Sequence, residues 1–182
     1  MRNTQYETLS QHSHEVATIA FALAQIGNKR LGKSYNAERA SLLGLYHDVP
    51  EIITGDMPTP VKYYSEDMRS TFKQIEDNAC DTLLDMLPDD LKEDYISLFK
   101  PEEEDAELWK LVKAADKISA YIKCIEERKA GNSEFSEAEK STRRIISSLD
   151  CPEANIFVRD FVPPYEFPID KLKEQGMEKP PQ

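Results

Sequence analysis

The segment Leu108-Trp109-Lys110-Leu111-Val112-Lys113-Ala114-Ala115-Asp116-Lys117-Ile118-Ser119-Ala120-Tyr121-Ile122-Lys123-Cys124-Ile125 decides the fold class. Leu108, Leu111, Ala115, Ile118, Ile122 and Ile125 recur at helical spacing and mark one apolar stripe, within a helix expected from about 106 to 129. Gly131-Asn132 is a stop signal after it. Outward from this segment the same period recurs. Val16, Ile19, Ala20, Leu23 and Ile26 predict a helix from about Ser13 that ends near Gly27-Asn28 or Gly32. Asn36 reads as the N-cap of a second helix, with Glu38 favoured by the helix dipole, running through Leu42, Leu43, Leu45 and Tyr46 into His47-Asp48. Residues 66–87 place Met68, Phe72, Ile75, Ala79, Leu83 and Met86 on one stripe, and Pro88 ends it. A shorter helix through Leu91, Tyr95, Leu98 and Phe99 follows, and Glu102 to Asp105 read as a solvated turn that also starts the next helix.

Downstream of the long helix, a charged helix over roughly 134–149 contributes Ile145, Ile146 and Leu149. A last one with Phe157, Val158, Phe161 and Val162 stops at Pro163-Pro164. No strand pattern, internal repeat or low-complexity tract stands out. The expectation is an all-α bundle of six to eight helices in a single domain over 1–182, with 1–9 and about 168–182 loosely ordered.

The chain has 182 residues, a formal net charge of −11 and a sequence pI near 4.8. An acidic balance argues against a nucleic-acid polymer or an anionic membrane as the main partner, although a local cation can still hold a small anion. Cys80, Cys124 and Cys151 are odd in number and lack CxxC spacing, so they read as reduced thiols rather than a disulfide frame or a zinc site. Val16 to Ala24, the best early apolar run, is too short to span a bilayer. These features predict a cytoplasmic protein.

Chemistry concentrates in few residues. In Leu45-Tyr46-His47-Asp48-Val49-Pro50-Glu51 an imidazole and a carboxylate are adjacent, and on a helix Glu51 lies one turn beyond His47. Neutral imidazole and carboxylate both offer lone pairs that suit a divalent cation. Pro50 cannot donate to the carbonyl of Tyr46, which predicts a kink or break there. His12 and His14 are the only other histidines. Two positions apart on a helix, they face different sides, and His12 is taken as the ligand candidate, with His14 exposed or behind the ligands. Asp116 sits inside the most apolar helix. It either pairs with Lys113 or Lys117 on the surface or joins His12, His47 and Asp48 around a metal ion. A set of two imidazoles and two carboxylates leaves positions open for water and a phosphate oxygen. Glu51 is placed to hold that water or move its proton.

These residues together resemble the signature of the HD-domain phosphohydrolase superfamily, His … His-Asp … Asp on a helical bundle. The resemblance narrows to bacterial 5′-deoxynucleotidases of the YfbR type. Ser10-Gln11-His12-Ser13, Tyr46-His47-Asp48-Val49-Pro50-Glu51 and Lys113-Ala114-Ala115-Asp116 carry it. So do Tyr121-Ile122-Lys123-Cys124-Ile125-Glu126-Glu127 and Ala130-Gly131-Asn132. The proline-stiffened loop Thr54-Gly55-Asp56-Met57-Pro58-Thr59-Pro60-Val61-Lys62-Tyr63 is its most specific part.

The resemblance implies hydrolysis of deoxyribonucleoside 5′-monophosphates to deoxynucleoside and phosphate by a cytoplasmic homodimer, with cobalt, manganese or another transition divalent ion. It implies metal ligation by His12, His47, Asp48 and Asp116, catalysis by Glu51, and a nucleotide lined by Asp56, Met57, Pro58 and Thr59. Lys62 or Lys117 is placed by its charge to neutralise phosphate. The family also implies an arginine-tryptophan pair ahead of the first histidine. Here His12 lies eleven residues after Met1 and the single tryptophan is Trp109, which leaves only Arg2 as a partial substitute and puts selection against ribonucleotides in question. The competing readings are an HD-type pyrophosphohydrolase of alarmone-like nucleotides, which should not need the 55–63 loop, and a non-catalytic nucleotide-binding scaffold.

Overall fold

The computed structural model describes residues 3–4, 6–57, 59–62, 64–100 and 102–167, with the backbone alone for Thr59 and Pro60. Arg2, Pro58 and the expected loose segment 168–182 lie outside the described residues. Among those described there are helices and no strand. In chain order they are α1 (Leu9–Arg30), α2 (Ala37–Tyr46), α3 (Glu51–Thr54), α4 (Thr59–Lys62), α5 (Glu66–Asp85), α6 (Asp89–Phe99), α7 (Ala106–Lys129), α8 (Ser136–Ser148) and α9 (Pro152–Phe161). Short 3₁₀ turns cover Glu103–Asp105, Ser133–Phe135 and Pro163–Glu166. Seven of the α-helices have ten residues or more, within the expected number. No helix among the described residues is long and apolar enough to cross a membrane.

The core lies where α1, α2 and α7 meet, and α9 packs onto α1 and α7 to extend it. Val16, Leu23, Leu43, Leu111, Val112, Ile118, Ile122 and Ile125 are all buried there, so the stripe expected on α7 faces the core along its whole length. Fully burying each such aliphatic side chain contributes about 1.5–3 kcal/mol. Gly131, with φ +90°, occupies the left-handed conformation that follows α7. The three cysteines are buried and free.

Contact between α1 and α2 is the most extensive in the fold, and Gly44 makes it possible. A Cβ on Gly44 would lie 2.9 Å from the Cα of Ala17 and 3.2 Å from its backbone nitrogen. Only a hydrogen at this position lets the two backbones approach. That approach brings the C-terminal end of α2 beside the first turns of α1.

Several expectations shift. α1 begins at Leu9 rather than near Ser13, because Thr8 and Gln11 form a reciprocal capping box: the Thr8 Oγ1 accepts from the Gln11 amide and the Gln11 side chain accepts from the Thr8 amide. Asn36 caps α2 as expected, accepting from the Arg39 amide at 3.0 Å. α2 ends at Tyr46, and the chain turns over residues 47–50 before α3, which is the break anticipated at Pro50. On α5 the buried residues are Phe72, Ala79, Cys80 and Leu84, while Met68, Ile75 and Met86 from the expected stripe are exposed. Period alone could not select among neighbouring apolar positions on a helix that packs lightly, against the small α3 and α4 and against α6. Leu91 and Ile145 are likewise exposed.

The acidic turn before α7 is not wholly solvated. Asp105 is only 6 % exposed and receives the Arg39 guanidinium, from Nε at 3.1 Å and Nη2 at 2.5 Å. Arg39 also donates to the carbonyl and hydroxyl of Ser97, so one side chain of α2 ties α6 and the start of α7 together. The loop at 54–62 contains a helical turn, α4, with Pro60 at its second position, where a missing N–H leaves no intrahelical bond unmade.

Candidate metal centre

The first turn of α1 and the end of α2 bring side chains to one point, with α7 beside them. α1 contributes His12 from its first turn, and the end of α2 contributes His47 as its C-cap, followed directly by Asp48. α7 contributes Asp116. The rings of His12 and His47 stand with centroids 5.3 Å apart, inclined at 50°. Asp48 Oδ2 lies 3.0 Å from His47 Nε2 and 3.4 Å from His12 Nε2, and Asp116 Oδ1 lies 3.4 Å from His12 Nε2. One ligand atom each from His12, His47 and Asp48 falls within a mutual separation of 4.8 Å, the span of donors around a single ion. Asp116 stands at the edge of that cluster and meets it through His12.

Hydrogen bonding fixes which nitrogen of His47 faces inward. Its Nδ1 is 2.8 Å from the carbonyl of Gly44, which can only accept, so Nδ1 carries a proton. In the neutral ring Nε2 then holds only a lone pair. It is buried, has no hydrogen-bond partner, and faces a carboxylate oxygen at 3.0 Å. With no proton on Nε2 that approach is neither an ion pair nor a hydrogen bond. Two lone pairs at this distance repel, and the space between them calls for a positive centre, a proton or a metal ion. The chemistry of the donor set, imidazole nitrogen with carboxylate oxygen, fits a transition divalent ion.

The titratable groups respond accordingly. Burial alone would lower the His12 pKa, but its contacts with Asp116 and Asp48 outweigh that and raise it to about 10. Burial alone would raise Asp48, yet the imidazoles of His12 and His47 hold it well below the ordinary carboxylate range. Asp116 is also held low against its burial, by His12 and by Lys117, whose Nζ is 2.9 Å from Oδ2. Asp116 thus meets Lys117 through Oδ2 and His12 through Oδ1, so the lysine pairing leaves one carboxylate oxygen turned toward the cluster. Glu51 behaves oppositely: burial, followed by the charges of Asp48 and Asp56, pushes it up to about 7.

His14 is exposed on the far side of α1, as its offset from His12 requires. Asp56 is exposed and Met57 half-buried in the turn between α3 and α4. Lys62 is turned onto α5, where its Nζ donates to Glu76 Oε1 at 2.7 Å and lies 4.7 Å from the Phe72 ring centre. Pro58 is outside the described residues, and Thr59 opens α4. Two groups were not singled out from sequence. Gly44 both permits the helix contact and accepts from His47. Ser119, buried on α7, reaches His12 Nδ1 at 3.3 Å and Glu15 Oε2 at 2.8 Å.

A family model described as 5′-deoxynucleotidase YfbR-like matches residues 1–165. The chain belongs to the YfbR-like 5′-deoxynucleotidase family. Its relatives include a 5′-deoxynucleotidase of Shewanella oneidensis, 40 % identical over 174 residues that cover 96 % of this chain and 89 % of that one. Another, from Vibrio vulnificus, is 42 % identical over 172 residues, covering 94 % and 89 %. The fold of this YfbR-like chain is also that of an HD-domain phosphohydrolase from Listeria innocua, with a TM-score of 0.75 at 23 % identity, covering 97 % of this chain and 82 % of that one.

Proposed function

We propose that this protein hydrolyses deoxyribonucleoside 5′-monophosphates to deoxynucleoside and phosphate at a divalent-metal centre held by His12, His47, Asp48 and Asp116. The observation that carries the reading is the buried, unpartnered Nε2 of His47 converging with His12 on the Asp48 carboxylate. The relatives' activity sets the substrate class. A bound transition ion supplies an acidified water and offsets charge on the phosphoryl oxygens.

The chain's own residues do the rest. Glu51, with a pKa lifted toward neutrality, takes a proton from the attacking water as the new P–O bond forms. It can return that proton to the 5′-oxygen as the P–O bond to the sugar breaks, so the carboxylate is regenerated. Asp56, Met57, Pro58 and Thr59 are the residues proposed to hold the nucleotide, on a segment stiffened by proline so that little ordering entropy is lost on binding. Lys62, already within reach of Glu51's charge, is the candidate cation for the phosphate. Cobalt or manganese as the ion, a homodimeric assembly and a cytoplasmic location belong to the same proposal.

Phosphate release from a panel of dNMPs, NMPs and alarmone-like nucleotides, with Co²⁺ or Mn²⁺ supplied, tests it. Turnover of dNMPs above the other classes is expected. A protein that binds the ion yet releases phosphate from none of the monophosphates is not a nucleotidase.

A further inference from the structure

We infer that Ser119 and Glu15 form a positioning pair that holds His12 with its proton on Nδ1 and its Nε2 lone pair aimed at the metal, an inference that rests on the metal-centre reading above. His47 obtains the same orientation from a backbone carbonyl, but among the described residues no carbonyl meets the His12 ring. Its Nδ1 instead meets a hydroxyl, that of Ser119, at 3.3 Å. A hydroxyl can donate or accept, so by itself it leaves the tautomer open.

Glu15 removes the ambiguity. Ser119 Oγ donates its single proton to Glu15 Oε2 at 2.8 Å. With that proton committed to a carboxylate, Oγ has only lone pairs left for His12, and Nδ1 must be the donor. The relay runs Nδ1–H of His12 to Ser119 Oγ, and Oγ–H to the Glu15 carboxylate. Its far end is Nε2, 3.4 Å from both Asp48 and Asp116. Ser119 is 1 % exposed, so its two hydrogen bonds are shielded from bulk solvent. A group that orients a metal-bound imidazole in this way typically changes metal affinity 10–100-fold when removed.

The pattern is also legible in the packing. Glu15 follows His12 by three residues on α1, and Ser119 follows Asp116 by three on α7, so each supporting residue lies one turn behind a ligand on the same face. Two helices packed through these faces bring ligand to ligand and support to support.

The test uses the full chain with Zn²⁺, a diamagnetic probe ion, and reads calorimetric affinity together with histidine ¹⁵N resonances. In the wild type, Zn²⁺ should shift Nε2 of His12 and His47 while a slowly exchanging Nδ1–H persists on His12. Ser119→Ala should weaken Zn²⁺ binding 10–100-fold and expose the His12 Nδ1–H to exchange, leaving the His47 resonances as they were. Glu15→Gln should give an intermediate loss, and adding it to Ser119→Ala should cost nothing more. Ser119→Ala within twofold of wild type, with the His12 Nδ1–H unchanged, overturns the pairing. Additive losses overturn the part assigned to Glu15. A wild type in which Zn²⁺ shifts neither histidine overturns the metal-centre reading itself, and the pairing with it.

Discussion

Metal binding at the His12 cluster should release one proton per ion near pH 8. With no metal bound, the contacts of His12 with Asp116 and Asp48 favour its protonated form and raise its pKa to about 10. An ion that takes Nε2 must displace that proton. At pH 8 the site is about two pH units below that value, so the apparent affinity should be roughly 100-fold weaker than in the proton-free site, or about 3 kcal/mol. Affinity should therefore improve about tenfold for each pH unit between 7 and 9. Below pH 7 the count should climb toward two, because Glu51 is then protonated as well and a nearby cation would drive its proton off. The same proton predicts a stability trend without metal. His12 has a folded pKa above its ordinary value of 6.5, so its contribution is fully present below pH 6.5 and is lost as pH rises through about 10. Titration calorimetry with Mn²⁺ at pH 8, in two buffers of different ionisation enthalpy, counts the protons directly. His12→Gln should lower the count by about one. An ion that binds wild type without releasing a proton, with affinity flat from pH 7.5 to 8.5, would refute the reasoning.

Gly44→Ala should disturb fold and site together. Its Cβ would press on the backbone of Ala17 at 2.9 Å, so a cost of about 1–3 kcal/mol in urea unfolding is expected despite the better helix propensity of alanine, along with weaker metal binding. A variant as stable as wild type, with unchanged affinity, would show that the helix contact has slack. Arg39→Met leaves the buried Asp105 carboxylate without its guanidinium and should cost about 3–5 kcal/mol. Adding Asp105→Leu should recover most of that in the same denaturation assay, and a single-variant loss below about 1 kcal/mol would contradict the burial argument. Glu51→Ala should retain stoichiometric metal while turnover drops about 10²–10⁴-fold. Wild-type activity should rise with pH through a limb at or below pH 7, since the group must be ionised to take the proton and a bound cation lowers its pKa further. Unchanged hydrolysis in the variant would remove Glu51 from the mechanism.

Local chemistry determined a good deal by itself. The core stripe of α7, its stop at Gly131, the Asn36 cap and the break at Pro50 are consequences of neighbours within a few residues, and all four could be read from the chain. The Thr8-x-x-Gln11 capping box is equally local. His12, His47, Asp48 and Asp116 could be named as candidates because the chain has only three histidines, one of them directly followed by an aspartate, and because the four residues fit a His … His-Asp … Asp pattern. Tertiary structure decided what no periodicity contains. It decided which apolar residues of α5 are buried, because a lightly covered helix gains little from one rotation over another. It turned Asp105 from a solvated charge into the partner of Arg39, and it set Lys62 onto Glu76. At the centre it decided how the donors face one another. The Nε2 of His47 points inward because Gly44 both admits α1 and accepts from Nδ1, and His12 meets Ser119 across more than a hundred residues of chain. Sequence supplies the donor atoms, but lone-pair directions and protonation depend on partners that only helix packing brings within 3 Å or so.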